Sequence, residues 1–267
     1  MVTVTQNPNT IINNIGVFNN IQNAVYAVQA GGTIIIESGS YGASMISIPE
    51  GKNLIISGSA NPNAPTIITG LSNGIIFTGQ TDGSIIRNLV ISNASRGVVL
   101  TDSNVQIENV KFTGGVRGII VGNGSNIGEV TIINCEFLNM NDLNYMNPND
   151  IGVCISAYTP SISIINSIFE NNTAYMSGSS MYVRSNQIIL ENNTFIGNTG
   201  GGRGGNILLQ RFNQNYDLPK TILVKNNYFE DNRATMHIST FVNEQAHDIL
   251  FYRVQEFNEG SIRYLLL

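Results

Sequence analysis

Charge is what this sequence has least of. Asp, Glu, Lys and Arg make up 12% of its 267 residues, about half the usual share. Lys and Arg form no run, and the net charge is −5. Nucleic acid, whose binding rests on a basic patch, is therefore not an expected partner. Tryptophan is absent and only two cysteines occur, Cys135 and Cys154. Two are too few for a disulfide framework in a chain of this size, and they fit no metal-ligand spacing; they read as small apolar residues. No apolar run approaches the ~18 residues of a membrane span. The opening "MVTVTQNPNT" has neither a basic start nor an apolar stretch, so no signal peptide is expected. The expected setting is extracellular, a cell surface or a virion, reached without a cleavable signal or after removal of a leader.

What fills the space is 38 Asn, 38 Ile and 27 Gly. Ile suits strand interiors, whereas Asn bonds local backbone and tolerates left-handed dihedrals, so it suits turns. The two alternate in a repeat. "IRNLVIS" (86–92), "IENVKFT" (107–113), "IINCEFL" (132–138), "IINSIFE" (164–170), "LENNTFI" (190–196) and "VKNNYFE" (224–230) share one template: apolar, any, Asn, two of any, then Phe or Ile. Successive asparagines are 21, 25, 32, 26 and 34 residues apart. A constant core with variable gaps describes a solenoid whose coils differ in their loops.

Each coil carries two more short strands. One usually follows glycine: "GVVL", "GIIV", "GVCI", "SMYV", "GNILL". The other precedes the asparagine. Three short strands per repeat, with no helical period between them, predict an all-β fold, a single-stranded parallel β-helix of about 7–9 coils at ~4.8 Å per coil. Equivalent residues then stack. Asn88, Asn109, Asn134, Asn166, Asn192 and Asn226 are expected to point inward as an asparagine ladder, with Phe112, Phe137, Phe169, Phe195 and Phe229 stacked beside it above Ile91.

The N-terminal segment "VFNNIQNAVYAVQAGG" (17–32) places Phe18, Ile21, Val25 and Val28 on one helical face and ends in two glycines. It predicts a helix capping the first coil. The chain divides into an N-terminal segment and capping helix (1–32), the β-helix (33–245) and a C-terminal cap (246–267), all one domain.

Continued into "GGTIIIESGSYG", this segment resembles the opening of the pectate-lyase-like superfamily of right-handed parallel β-helices, where F-x-x-I-Q-x-A precedes G-x-T-I-x-I-x-x-G-x-Y. The motifs "FENN", "FIGN", "FEDN" and "GGNI" are similar to the repeats of polymorphic outer-membrane adhesins. Together these resemblances cover about residues 15–240 and imply a right-handed coil. They imply no reaction, because this scaffold carries lyases, hydrolases, esterases, tailspikes and adhesins alike.

In the polysaccharide-cleaving members, chemistry sits on an exposed strand face. If Val98 and Leu100 point inward here, alternation leaves Val99, Ile120, Cys154, Tyr182 and Leu208 outward, with no acid or base among them. They read instead as an interface stripe. Tyr182, Arg184, Gln210 and Arg211 at its end are the ligand-binding candidates. The polygalacturonase, pectate-lyase and pectin-methylesterase motif sets have no counterparts. No carboxylate pair stands one coil apart as glycoside cleavage needs; Glu230 with Asp231 is the best local pair, read as a solvated turn. The histidines, His237 and His247, fall in the last coil and read as surface or cap residues. The loop "NMNDLNYMNPND" (139–150) offers oxygens at Asp142, Asn147, Asn149 and Asp150 of the kind Ca²⁺ takes, without EF-hand spacing, so no cofactor is expected. The expected function is non-enzymatic: a structural or adhesive β-helix that binds a glycan, itself or a larger assembly. The alternative is a lyase or hydrolase acting on an acidic polysaccharide.

Overall fold

A strand whose copy recurs one turn further along the chain can satisfy its backbone by pairing with that copy. The computed structural model describes residues 2–5, 16–122, 129–142, 153–175, 178–201, 206–210, 221–235 and 249–252, and this pairing organises them. Three sheets build the coil, two of them along most of its length. The eight-stranded sheet starts at Met45–Ile48 and passes through Val98–Thr101, Ile119–Val121, Ile155–Tyr158, Met181–Arg184 and Ile207–Gln210 to Ile249–Tyr252. Its eight strands mark eight successive turns, inside the expected seven to nine. Its last strand falls within the segment that the sequence assigns to a C-terminal cap. The 16-stranded sheet holds the strands on either side of the repeated asparagine, and a four-stranded sheet joins the later coils. Every coil-to-coil pairing is parallel and in register.

The phenylalanines stack as expected. Phe112, Phe137, Phe169, Phe195 and Phe229 follow one another at 4.8, 4.8, 4.7 and 4.8 Å between ring centroids, with Ile91 beside Phe112 in the preceding coil. That separation is the strand spacing itself, so the backbone ladder sets the ring stack. Against the ring edges runs a column of small residues. A Cβ on Gly97 would lie 2.4 Å from the Gly118 carbonyl oxygen and 2.9 Å from the Phe112 ring. This is why glycine precedes the strands that begin at Val98 and Ile119, and why the same place in later coils holds Cys154 and Ser180.

The asparagine ladder is displaced by one residue. Asn88, Asn109, Asn134, Asn166, Asn192 and Asn226 all adopt left-handed backbone, φ between 51° and 56°. Five are exposed and Asn88 is half-buried. They do not point into the core; in one pair, Asn109 Nδ2 donates to Asn88 Oδ1 outside it, at 2.7 Å. The left-handed residue turns the strand through the bend, and the side chain that follows it faces inward: Leu89, Val110, Cys135, Ser167, Asn193 and Asn227. Asparagine recurs because, after glycine, it tolerates this conformation best. A second left-handed bend comes five residues later, at Asn93, Gly114, Asn139, Asn171, Gly197 and Asp231.

The buried amide ladders are the residues after these bends. Asn172, Asn198 and Asn232 form one. Asn172 Nδ2 donates to Asn198 Oδ1 and to the Phe137 carbonyl, both 2.9 Å, and Asn198 repeats this with Asn232 and Phe169. Asn193 and Asn227 form the other, 3.0 Å apart, with Asn193 Nδ2 also donating to the Ile164 carbonyl. Each Oδ1 accepts the backbone N–H one coil back. The bends are thereby satisfied without water. Where the 16-stranded sheet is rejoined, buried hydroxyls do the same: Ser103, Thr159 and Ser185 each donate to a carbonyl of the bend.

The N-terminus is capped by more than a helix. Strands β1 (Val2–Thr5) and β2 (Gly16–Phe18) precede helix α1 (Ile21–Ala27), and β3 (Thr33–Ile36) follows it. β1 pairs antiparallel with both β2 and β3. The helix is shorter than expected because the Asn20 side chain accepts the Asn23 N–H and starts it there, leaving Phe18 in a strand and Val28 in the extended C-cap. Ile21, Val25 and Val28 are buried, as expected of the capping face. Gln22 of the I-Q motif clamps Ser47 through both its side-chain amide groups (3.0 and 2.7 Å), and Lys52 Nζ takes the Val25 carbonyl at the helix end.

The two kinds of asparagine separate on mutation. Asn198→Ala leaves a buried N–H, an amide and a carbonyl without partners, and should cost about 3 kcal/mol or more. Asn166→Gly should cost little, and Asn166→Leu about 1–2 kcal/mol, because leucine is strained in left-handed backbone. Urea unfolding of the three variants checks the order.

Candidate binding face

The outer surface of the eight-stranded sheet is where the stripe was expected. Val98 and Leu100 are fully buried, so the expected phase holds there, and Val99 and Ile120 alternate outward, half-buried, in direct register. The next coil does not follow. Ile120 pairs with Ser156, and Ser156 with Tyr182. Cys154 lies two residues earlier, fully buried in the column of small residues, where Gly118 precedes it and Ser180 follows. Its thiol donates to the Ser179 carbonyl at 3.6 Å. Leu208 takes the expected register position beside Tyr182 but is only 4% exposed. The stripe is therefore Val99, Ile120, Ser156, Tyr182 and a covered Leu208, and it is broken by a hydroxyl.

The coil spacing carried the signal that fixes this. Asn166 and Asn192 are 26 residues apart, and between these two coils every paired position keeps the same separation: Ser156 with Tyr182, Tyr158 with Arg184, Ser161 with Gln187. Counting back by 26 from Tyr182 gives Ser156. Aligning on the glycine of "GVCI" instead moved this coil by two residues.

The correct register brings in a residue the sequence reading missed. Tyr158 stands directly beside Arg184. The Arg184 guanidinium carbon lies 5.8 Å from the Tyr158 ring centroid and 5.7 Å from that of Tyr182, both within cation–π range. Both rings are half-buried and the Arg184 side chain is exposed. Burial pushes the Tyr182 phenol above its ordinary range, against the pull of Arg184. Gln210 continues the column by pairing with Arg184 in the backbone. Arg211 lies outside the described residues, as do His237 and His247.

The carboxylates occupy other places. Glu230 and Asp231 are both exposed. Asp231 takes the left-handed bend, and Glu230 accepts the Tyr228 hydroxyl at 3.0 Å. In the column of Glu230 the neighbour one coil back is Ile196, and Glu170 stands between Leu138 and Ile196. Asp142 of the widened coil bonds Arg117 at 3.2 Å in a mostly buried pair; Asn147, Asn149 and Asp150 lie outside the described residues. Among the described residues no group of three metal-ligating side chains occurs, and no helix is long and apolar enough to cross a membrane.

A family model described as a right handed beta helix region matches residues 73–248. No curated protein and no solved structure matches the chain.

Both thiols are buried, and burial pushes that of Cys135 from an ordinary 9.0 up to about 12 and that of Cys154 upward as well. The folded state therefore holds these protons where the unfolded state releases them. The contribution of Cys135 to stability is complete below about pH 9 and is lost as pH rises towards 12; that of Cys154 has the same sign. A thiol reagent at pH 8 should label neither cysteine in the native protein and both in urea. Cys135→Ala should flatten the fall in stability between pH 9 and 11.

Proposed function

We propose the following for a chain that belongs to the right-handed β-helix family: it is a non-enzymatic structural or adhesive module, extracellular or carried on a particle, that binds a glycan through the outer face of its eight-stranded sheet. The observation that carries this reading is the station formed by Tyr158, Arg184 and Tyr182. Two half-buried rings offer flat apolar surface to the C–H faces of a sugar. Between them a guanidinium presents a planar fork of donors suited to hydroxyl pairs or carboxylates. A rigid strand array positions the group at little entropic cost, because the rings and the guanidinium already pack on one another.

The placement of the acids supports the non-enzymatic part. Glycoside cleavage uses two carboxylates on either side of one bond. Glu170 and Glu230 alternate with Leu138 and Ile196 along their column, and Glu230 with Asp231 lies on a different sheet from the station.

A panel of neutral and acidic oligosaccharides tests the reading by calorimetry. Binding should weaken by about tenfold or more in Arg184→Ala and in Tyr182→Ala, with melting temperatures close to that of the parent. The same sugars should be recovered uncut after prolonged incubation, with or without Ca²⁺. Cleavage that disappears in Glu230→Ala would transfer the chain to the lyases or hydrolases, and binding indifferent to both substitutions would remove the face from consideration.

A further inference from the structure

We infer that the N-terminal edge of the 16-stranded sheet is a contact between two copies of this chain, joined head to head through β2. The inference is independent of the sugar-binding station, which lies on another sheet.

Three observations meet at this end. The first is an open edge. β2 is the outermost strand of the sheet, paired on one side only, with β1. Among the described residues no strand pairs with its other side, and an unpaired edge offers backbone donors and acceptors to another strand.

The second is how the edge can be extended. β1 runs antiparallel to both of its neighbours, so β2 runs in the same direction as β3, and the antiparallel pattern of this end continues if the next strand opposes β2. A twofold axis normal to the sheet makes two identical edge strands antiparallel. β2 can therefore pair with β2 of a second copy and continue one sheet through both molecules, and a twofold contact of this kind closes on itself as a dimer.

The third is the surface around it. The first 36 residues contain no Asp, Glu, Lys, Arg or His; the first charged side chain is Glu37. All of the net charge of −5 lies beyond them. Lys52 reaches the end of the helix at the Val25 and Tyr26 carbonyls, but β2 and its neighbours β1 and β3 carry no charge of their own. Val17 on β2, Ile35 on β3 and Tyr26 on the helix are 57, 41 and 65% exposed. Val17 and Ile35 flank Thr3 in register, so they share the outer face of the sheet. Natural edge strands are commonly protected by a lysine, a proline or an inward charge. β2, "GVF", has none. An apolar, uncharged edge matches its own copy better than it matches a charged partner.

Sedimentation of the full chain from about 1 to 200 µM, the range over which weak dimers form, should show a monomer–dimer equilibrium. The amides of Gly16–Phe18 should gain hydrogen-exchange protection as concentration rises. Val17→Lys and Val17→Glu should each weaken dimerisation by about tenfold or more through like-charge contact across the axis, with the circular dichroism melt retained. Mixing the two variants should restore it, which a merely misfolded edge would not do. Should either variant fold poorly, the change in exchange protection of the Gly16–Phe18 amides of the wild-type chain between about 1 and 200 µM provides the same reading. A wild-type chain that stays monomeric throughout would overturn the inference. So would a dimer that forms undiminished in Val17→Lys, or one that leaves the Gly16–Phe18 amides unprotected; either would assign association to another surface or another occupant of this edge.

Discussion

Everything in this molecule depends on one spacing, the distance between parallel strands in register. At about 4.8 Å, each side chain has as its nearest neighbours the residues at the same position one coil before and one coil after. A position is therefore chosen together with its copies. Phenylalanine is favourable in the core because a phenylalanine lies above and below it at 4.7–4.8 Å. A buried asparagine is favourable because the next asparagine supplies its acceptor and the previous coil supplies its carbonyl. An isolated buried amide would lack those partners and cost more than it returns.

The repeat and the class of fold were legible because this constraint writes itself into the sequence as columns. The phenylalanine column needed no correction, since Phe has a single reason to recur at such a place. Asparagine has two. It recurs where the backbone is left-handed, as at Asn134 and Asn166, and where an amide must be passed along the core, as at Asn172 and Asn198. Composition does not distinguish these roles, and a strand places adjacent residues on opposite faces. "ENN" at 191–193 contains both: Asn192 makes the bend and Asn193 enters the ladder. In "INC" at 133–135 the same bend is followed by a cysteine, so the inward position was hidden behind the more conspicuous asparagine.

The face of the eight-stranded sheet was legible in phase but not in register. Alternation put Val98 and Leu100 together on one face, opposite Val99, and the phase that turns them inward is the one that holds. Alternation could not fix how the coil containing Cys154 aligns, because the insertion at 139–150 separates its strand from the preceding bend. Register had to be carried backwards from the next coil, where the spacing is an uninterrupted 26 residues. That is why Tyr158 escaped notice and Cys154 was placed beside Tyr182, where Ser156 stands. The N-terminal strands were illegible for another reason. β1 and β2 belong to no repeat, and their pairing with β3 is antiparallel, so no column announces them.

The two ends of the coil solve the same problem with different chemistry. At the inward side of the first bend, the coils run Leu89, Val110, Cys135, Ser167, Asn193 and Asn227, from aliphatic to amide. The second bend runs from Ala94 through Met140 to Asn172, Asn198 and Asn232. Apolar residues there gain from burial alone and need nothing from their neighbours. Amides need the next coil in place. Early coils can thus close over a cap that contributes only apolar contact, as the helix does with Ile21 and Val25. Later coils are tied to one another through their amides. A core built this way consumes its polar groups internally, coil by coil. What is left for recognition is the outer face, where side chains such as Tyr158, Tyr182 and Arg184 are constrained by register yet not committed to the ladders.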